Sequence, residues 1–303
     1  MKRTAILAAI VVTGLSIGAL AQPAFPPVGD AQKVKDNLWV IPGQGGNTAA
    51  FVTANGVVLV DTKLANNGQA ILAKLKAVTP RPVTTIINTH THGDHVGSNG
   101  EFPASVEVIA HDNTRANMMK MPELKATPSA LPDRAFTDRL TLGSGADQID
   151  LYYFGPGHTN GDAFVVFRAA RTVHTGDIFA WKAPPFIDTM NGGSFVAAPD
   201  TLEKAARGIP NVDTVITGHM GEVQPWPSLA EYAEFNREFL NYVQASRKAG
   251  KTAEQAAMEL KLPAKFSAYI GPATIPGAEF LGPARPFAQK NVLAAYAELN
   301  ARR

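Results

Sequence analysis

Thr89-His90-Thr91-His92-Gly93-Asp94-His95 places four potential metal ligands within six residues, directly after the apolar run Val83-Thr84-Thr85-Ile86-Ile87-Asn88. Three of the seven histidines in the chain stand in this one stretch. Donors this dense on a single turn make poor packing material, because each buried imidazole or carboxylate needs a polar partner. A cation provides that partner for several of them together. His90 and His92, two residues apart at the end of a strand, are spaced to address one ion. Asp94 and His95, offset along the same turn, are spaced to address a second.

Outward from this turn, the pattern is that of an α/β fold. Leu38 to Ile41 reads as a strand, and Gly43-Gln44-Gly45-Gly46-Asn47 as a turn. Residues 48–53 and 57–60 form a hairpin around Asn55-Gly56, a strong turn dipeptide. Apolar Ile71, Leu72, Leu75 and Val78 predict an amphipathic helix over 67–78, ended by Pro80 and Pro82. The strand 83–88 then delivers the histidine-rich turn at its carboxyl end, where α/β folds commonly place active sites. Further strands are predicted at 106–110, 148–154, 163–168, 172–174 and 212–217, with helices at 111–121 and 201–208. Residues 122–138 and 183–199, rich in proline or glycine, read as long loops beside the site. His158, Asp177 and His219 each sit in a loop that follows a predicted strand. From Ser228 onward the chain is helical, with predicted helices at 229–246, 252–260 and 287–299 and a charge-poor link over 266–286.

Composition narrows the chemistry. Lys2 and Arg3, an apolar stretch to Leu20, and the small-x-small Ala19-Leu20-Ala21 read as a signal peptide over 1–21, with cleavage before Gln22. The apolar run is short for a membrane span and has no basic flank on its far side. The reading is therefore a periplasmic or secreted protein with no stable membrane anchor. Without Lys2 and Arg3, 26 basic residues face 26 acidic ones, which argues against nucleic acid as a partner and for a small-molecule substrate. The chain has no cysteine, so neither disulfides nor thiolate ligands are available. A metal must be held by histidine and carboxylate, which favours zinc, iron or manganese. Oligomeric state is not legible.

The ordered motifs His90-x-His92-x-Asp94-His95, Gly157-His158-Thr159, Thr175-Gly176-Asp177 and Gly218-His219 resemble those of the metallo-β-lactamase superfamily. The resemblance spans roughly residues 38–220. It implies an αββα sandwich over 22–227 with the helical C-terminal extension, 228–303, packed on the same domain. It implies a first metal on His90, His92 and His158, a second on Asp94, His95 and His219, and Asp177 bridging them. Asp61 resembles the family's buried aspartate, which supports the ligand loop without ligating. The cofactor implied is a pair of zinc ions, with iron or manganese as alternatives, about 3.5–4 Å apart and sharing a hydroxide. That hydroxide would attack an ester, lactone or lactam carbonyl, with Asp94 and Asp177 as the catalytic carboxylates.

Within the family, the missing cysteine ligand and the presence of Asp177 separate this chain from dedicated β-lactamases. An exported ester, lactone or lactam hydrolase ranks first. A dedicated β-lactamase ranks second, and a phosphoester or sulfate ester hydrolase third. A non-catalytic metal- or ligand-binding protein ranks last, since the ligand set is intact. Asn191 with Gly192-Gly193 is a candidate oxyanion holder. Trp181, Phe186, Met190 and Phe195 are candidates for an apolar pocket wall, and Met118-Met119-Lys120-Met121 for a flexible rim. His111 reads as a helix N-terminal residue, and His174 as structural.

Overall fold

A computed structural model describes residues 26–275 and 281–302. The signal-peptide reading of 1–21 lies outside the described residues. Seven strands form a first sheet in chain order: β1 (Gln32–Lys35), β2 (Leu38–Ile41), β3 (Thr48–Thr53), β4 (Gly56–Val60), β5 (Val83–Ile87), β6 (Glu107–His111) and β7 (Arg134–Phe136). β1 to β4 pair antiparallel, and β4 to β7 parallel. The second sheet runs in the order β13 (Gln224–Pro225), β12 (Thr214–Ile216), β11 (Thr172–His174), β10 (Phe164–Phe167), β9 (Ile149–Tyr152) and β8 (Arg139–Leu142).

Side chains alternate along a strand between its two faces, so a strand buried on both faces reads as a continuous apolar run. β4 and β10 show this. Val58 and Val60 meet Val165 and Phe167 in the core between the sheets. Val57 and Leu59 face outward onto Ile71 and Leu75 of helix α1 (Gly68–Lys76). Phe164 and Val166 face the opposite way, into the largest core. The result is four layers, helix–sheet–sheet–helix.

Helix α2 (Gly93–Val96) is the ligand turn itself, and α3 (Asp112–Met118) follows β6. α4 (Pro122–Lys125) is one turn, and α5 (Ala198–Gly208) lies on the second sheet. The C-terminal region adds α6 (Pro227–Lys248), α7 (Ala253–Met258) and α8 (Ala284–Ala301). Leu229, Tyr232, Phe235, Phe239 and Val243 of α6 enter the same core as Val173 and Val215 of the second sheet, joined by Ala288, Val292 and Ala295 of α8. No helix among the described residues is long and apolar enough to cross a membrane.

Several short elements differ from the sequence expectation. β1, an edge strand on β2, lies where no strand is predicted. The long loop at 122–138 contains α4, a 3-10 turn at Pro128–Ala130 and β7. β8 lies where no strand is predicted. The charge-poor link holds a 3-10 helix, Ala264–Ile270, whose Phe266 and Tyr269 are buried on α6. Strands of three or four residues carry too little periodicity to read, and their ladders are supplied by neighbours distant in sequence.

Candidate metal centre

One end of the sandwich collects the functional groups. β4 and β5 are parallel, as are β11 and β12, so their carboxyl ends open on common edges. Asp61 follows β4, His90 to His95 follow β5, His158 follows β9, Asp177 follows β11 and His219 follows β12. All seven predicted ligands come together there. His90, His92, His158 and Asp177 form one group of donor atoms within 4.8 Å, and Asp94, His95 and His219 another.

In the first group, the outer ring nitrogens fix the tautomers. His92 Nε2 lies 2.8 Å from Asp188 Oδ2. His158 Nδ1 lies 2.6 Å from the Phe186 carbonyl. His90 Nδ1 lies 3.0 Å from Thr89 Oγ1, whose own hydroxyl proton is donated to Asp61 Oδ2 at 2.6 Å. Each partner is an acceptor, so each outer nitrogen carries the proton and donates it. The inner nitrogens then present lone pairs. His92 Nδ1 and His158 Nε2 face each other at 2.9 Å, and His90 Nε2 is buried with no hydrogen-bond partner. An extra proton on His92 would satisfy one of these pairs and still leave His90 Nε2 bare. A cation satisfies all three, and these donors fit a metal. Burial, with the neighbouring imidazoles, holds His90 well below its ordinary pKa and pulls His158 down to about 4. Neutral imidazole is the ligating form.

In the second group, His95 Nδ1 donates to Asp61 Oδ2 at 2.7 Å, which turns His95 Nε2 inward. That nitrogen lies 3.4 Å from His219 Nε2, 3.6 Å from Asp94 Oδ2 and 3.2 Å from Asp177 Oδ1. Asp177 Oδ2 is 3.1 Å from His219 Nε2 and 3.9 Å from His158 Nε2. Asp177 therefore stands between the two groups. Burial alone would lower His95, but Asp177, Asp94 and Asp61 outweigh it and raise the imidazole well above its usual value. Burial likewise pushes Asp177 up, and His219 and His95 overcome it and hold the carboxyl well below the usual range. This concentration of negative charge around His95 calls for a positive ion where the proton would otherwise sit.

Asp61, His90 and His95 also lie close enough to form a third grouping. The oxygens of Asp61 are already engaged: Oδ1 accepts from Thr89 N–H at 2.8 Å, and Oδ2 from Thr89 Oγ1 and His95 Nδ1. Asp61 thus holds the ligand turn and orients one ligand, as metal-site partners do. His174 accepts from Gly176 N–H and donates to the Asn47 carbonyl, tying the Asp177 turn to the glycine-rich turn. His111 caps α3, accepting from Asn113 N–H, and stacks on Tyr153.

Other candidates fall elsewhere. The amide of Asn191 donates to Asp188, and the N–H groups of Gly192 and Gly193 donate to Thr189 and Asp188 within their own loop, so they do not form an oxyanion holder. Phe195 is buried in the outer core and Met190 is 94% exposed, so neither lines a pocket wall with the other two. Phe186 does stand against His92 and His158, with ring centroids 5.9 and 5.7 Å away, and Trp181 stands 5.6 Å from His219. Of the methionine cluster, Met118 is fully buried and Met121 packs under the ligand turn, its sulfur accepting from Thr91 Oγ1.

Three functional residues escaped the sequence reading. Asp188 orients His92. Asp162 accepts from the N–H and hydroxyl of Thr159 and shapes the His158 turn. Its signal was present, since Thr159-x-x-Asp162 has the spacing of a capping pair. Burial raises Asp162 to about 7. Lys63 is fully buried and donates to the carbonyls of Ile41 and Gly46, at 2.7 and 2.9 Å.

Comparison with known proteins agrees with this geometry. A family model described as the metallo-beta-lactamase superfamily matches residues 41–219. The chain is 27% identical over 137 residues to a metallo-beta-lactamase type 2 of Bacteroides fragilis, covering 45% of this chain and 53% of that protein. It is 33% identical over 182 residues to metallo-beta-lactamase domain-containing protein 1 of Mus musculus, covering 58% and 64%. The chain thus spans between half and two-thirds of the length of these two relatives. Among solved structures, the sec-alkylsulfatase Pisa1 from Pseudomonas sp. superposes with a TM-score of 0.71 at 13% identity, over 89% of this chain and 50% of that one.

Proposed function

The chain belongs to the metallo-β-lactamase superfamily, and from that premise we propose that it is a dinuclear hydrolase of an ester, lactone or lactam bond. The observation that carries the reading is the pair His92 Nδ1 and His158 Nε2, two lone pairs facing each other at 2.9 Å beside the bare His90 Nε2. His90, His92 and His158 would hold one divalent cation, Asp94, His95 and His219 a second, and Asp177 both. When bound, such a pair supplies a water acidified toward neutrality and a Lewis acid for the carbonyl. Zinc suits this nitrogen and oxygen donor set, with iron and manganese as the competing outcomes of metal analysis.

The residues themselves divide the remaining work. Asp177, 7% exposed, is committed between the two groups. Asp94 is more open, at 20%, with Oδ2 only 3.4 Å from His219 Nε2. Oδ2, the oxygen facing His95 and His219, would bind the cation, which leaves the other carboxylate oxygen of Asp94 to orient the attacking water, accept its proton and return it to the leaving oxygen or nitrogen as the acyl bond breaks. Phe186, exposed beside His92 and His158, offers an apolar face suited to the body of a small organic substrate, while Trp181 is buried behind His219. We also propose export, resting on the pattern of residues 1–21, with a mature chain starting at Gln22. β-Lactam cleavage is the second reading, supported by the similarity to the Bacteroides fragilis protein.

Metal analysis tests the centre. The chain should carry two ions when metal-replete, and Asp177→Ala or His219→Ala at most one. A wild-type chain holding one ion or none would refute the bridged pair. Hydrolysis of a β-lactam, a lactone, an aryl ester and a bis-aryl phosphate by the metal-loaded chain tests the substrate class. Turnover of the phosphodiester alone would sink the acyl reading. A β-lactam kcat/KM above about 10⁴ M⁻¹s⁻¹ would promote the second reading.

A further inference from the structure

α8 reaches the first half of the metal centre without touching it. Asn291 on α8 is buried, and its amide donates to the Pro185 carbonyl at 2.7 Å. Two turns further along, the Glu298 carboxylate accepts from Ser194 Oγ at 2.5 Å and from Phe195 N–H at 2.8 Å. These two contacts pin residues 185–195 at both ends. Between the pins lie the two groups that fix the outer nitrogens of His158 and His92: the Phe186 carbonyl and the Asp188 carboxylate. The same segment is laced to the His158 turn through Asp188 N–H to the His158 carbonyl and Ser194 N–H to the Gly157 carbonyl. Its placement therefore sets the direction of two ring lone pairs.

We propose that α8, through Asn291 and Glu298, positions His92 and His158 and so sets the affinity of the first half of the centre, an inference that rests on the metal reading above. Asn291 and Glu298 are positioning residues, and the C-terminal helix tunes the metal site as well as completing a core. A helix that served packing alone would stabilise both halves of the centre equally. A clamp acting through the 185–195 segment acts on the His92/His158 half, because in the second half His95 takes its orientation from Asp61.

Zinc titration of the full chain against a chromophoric chelator tests this. A His219→Ala background isolates the first half, and a His158→Ala background the second. Asn291→Leu and Glu298→Ala should each weaken the first half about tenfold and leave the second within about twofold; tenfold is the low end of the loss expected when the groups they hold, which stand one layer beyond a metal's ligands, are disturbed. Val292→Ala removes core packing from the same helix without touching the clamp, and should lower the melting temperature while leaving zinc affinity in place. Should Glu298→Ala fail to fold, Glu298→Gln keeps one acceptor and carries the same comparison with a smaller loss. Clamp variants that bind zinc as the wild type does, or that weaken both halves alike, overturn the proposal. A wild-type chain that takes up no divalent cation removes the metal reading with it. Two ions in the wild type with unchanged clamp variants remove the clamp alone.

Discussion

Asp61 and Lys63 both take positive φ, 61° and 66°, a conformation L side chains avoid. Each such residue costs on the order of 1–3 kcal/mol, and persists only where its surroundings over-determine it. Here they do. Asp61 accepts three hydrogen bonds, Thr62 N–H donates to the His95 carbonyl at 2.7 Å, and the Lys63 amine has two carbonyl acceptors. Two acceptors suit a neutral amine, which has two N–H bonds. Burial lowers Lys63 to about 7, against the pull of Asp61 and Asp94. In the unfolded chain lysine keeps its proton to its ordinary value of 10.5. Between these values the unfolded state binds more protons, so this residue makes stability rise with pH. Urea unfolding at about pH 7.5 and about pH 9.5 should show wild type gaining on Lys63→Met by on the order of 1 kcal/mol per pH unit. Parallel pH dependences would show that the amine stays charged inside the fold.

At the level of elements, the sites are loops held by strand ends, and close approach of backbone decides what those loops accept. A Cβ on Gly218 would stand 1.9 Å from Asp177 Oδ1, inside any real contact. Gly218→Ala should therefore displace the Asp177 carboxylate, the proposed bridge. We expect at most one ion per chain and a fall in kcat/KM of roughly a hundredfold, about 2.7 kcal/mol of transition-state stabilisation. Gly221, with nothing within 4 Å of its would-be Cβ, is the control, and Gly221→Ala should behave as wild type. Two ions and normal turnover in Gly218→Ala would mean that Asp177 is not confined as the geometry requires. Elements of this kind were unevenly legible. α1 and α6 show their 3.6-residue period, and the Asn55-Gly56 hairpin shows its turn. β7, β8 and β13 do not, because two to four residues cannot express a period, and their stability comes from ladders with β6, β9 and β12. The extended His95 region read as a bare turn; its helical form, α2, depends on His95 N–H bonding back to the His92 carbonyl.

Across the whole molecule, the C-terminal helices cover the outer face of the second sheet. Phe164, Val166, Val173 and Val215 share one core with residues of α5, α6 and α8, so loss of α6 and α8 would open much of that apolar face to water. Phe235 of α6 is fully buried, in contact with the rings of Tyr232, Phe266 and Tyr269. A chain ending at Trp226 should therefore aggregate and show no cooperative melt, since an exposed apolar face of this kind associates rather than stays in solution. A soluble truncated monomer with a sharp thermal transition would show that the sandwich stands without its extension.

The sequence by itself determined which side chains make up the candidate metal centre. Few residue types ligate a metal, and four of them crowded into one turn after an apolar strand state a metal site in local terms, with the later motifs adding His158, Asp177 and His219. Only the tertiary structure decided how those atoms face. Three of the rings are aimed by the partner of the outer nitrogen, and those partners lie far along the chain: Asp61 is 34 residues from His95, Phe186 28 from His158 and Asp188 96 from His92. A hydrogen bond between such distant residues leaves no trace in local spacing. It exists only once two sheets and a C-terminal helix have packed the loops against one another.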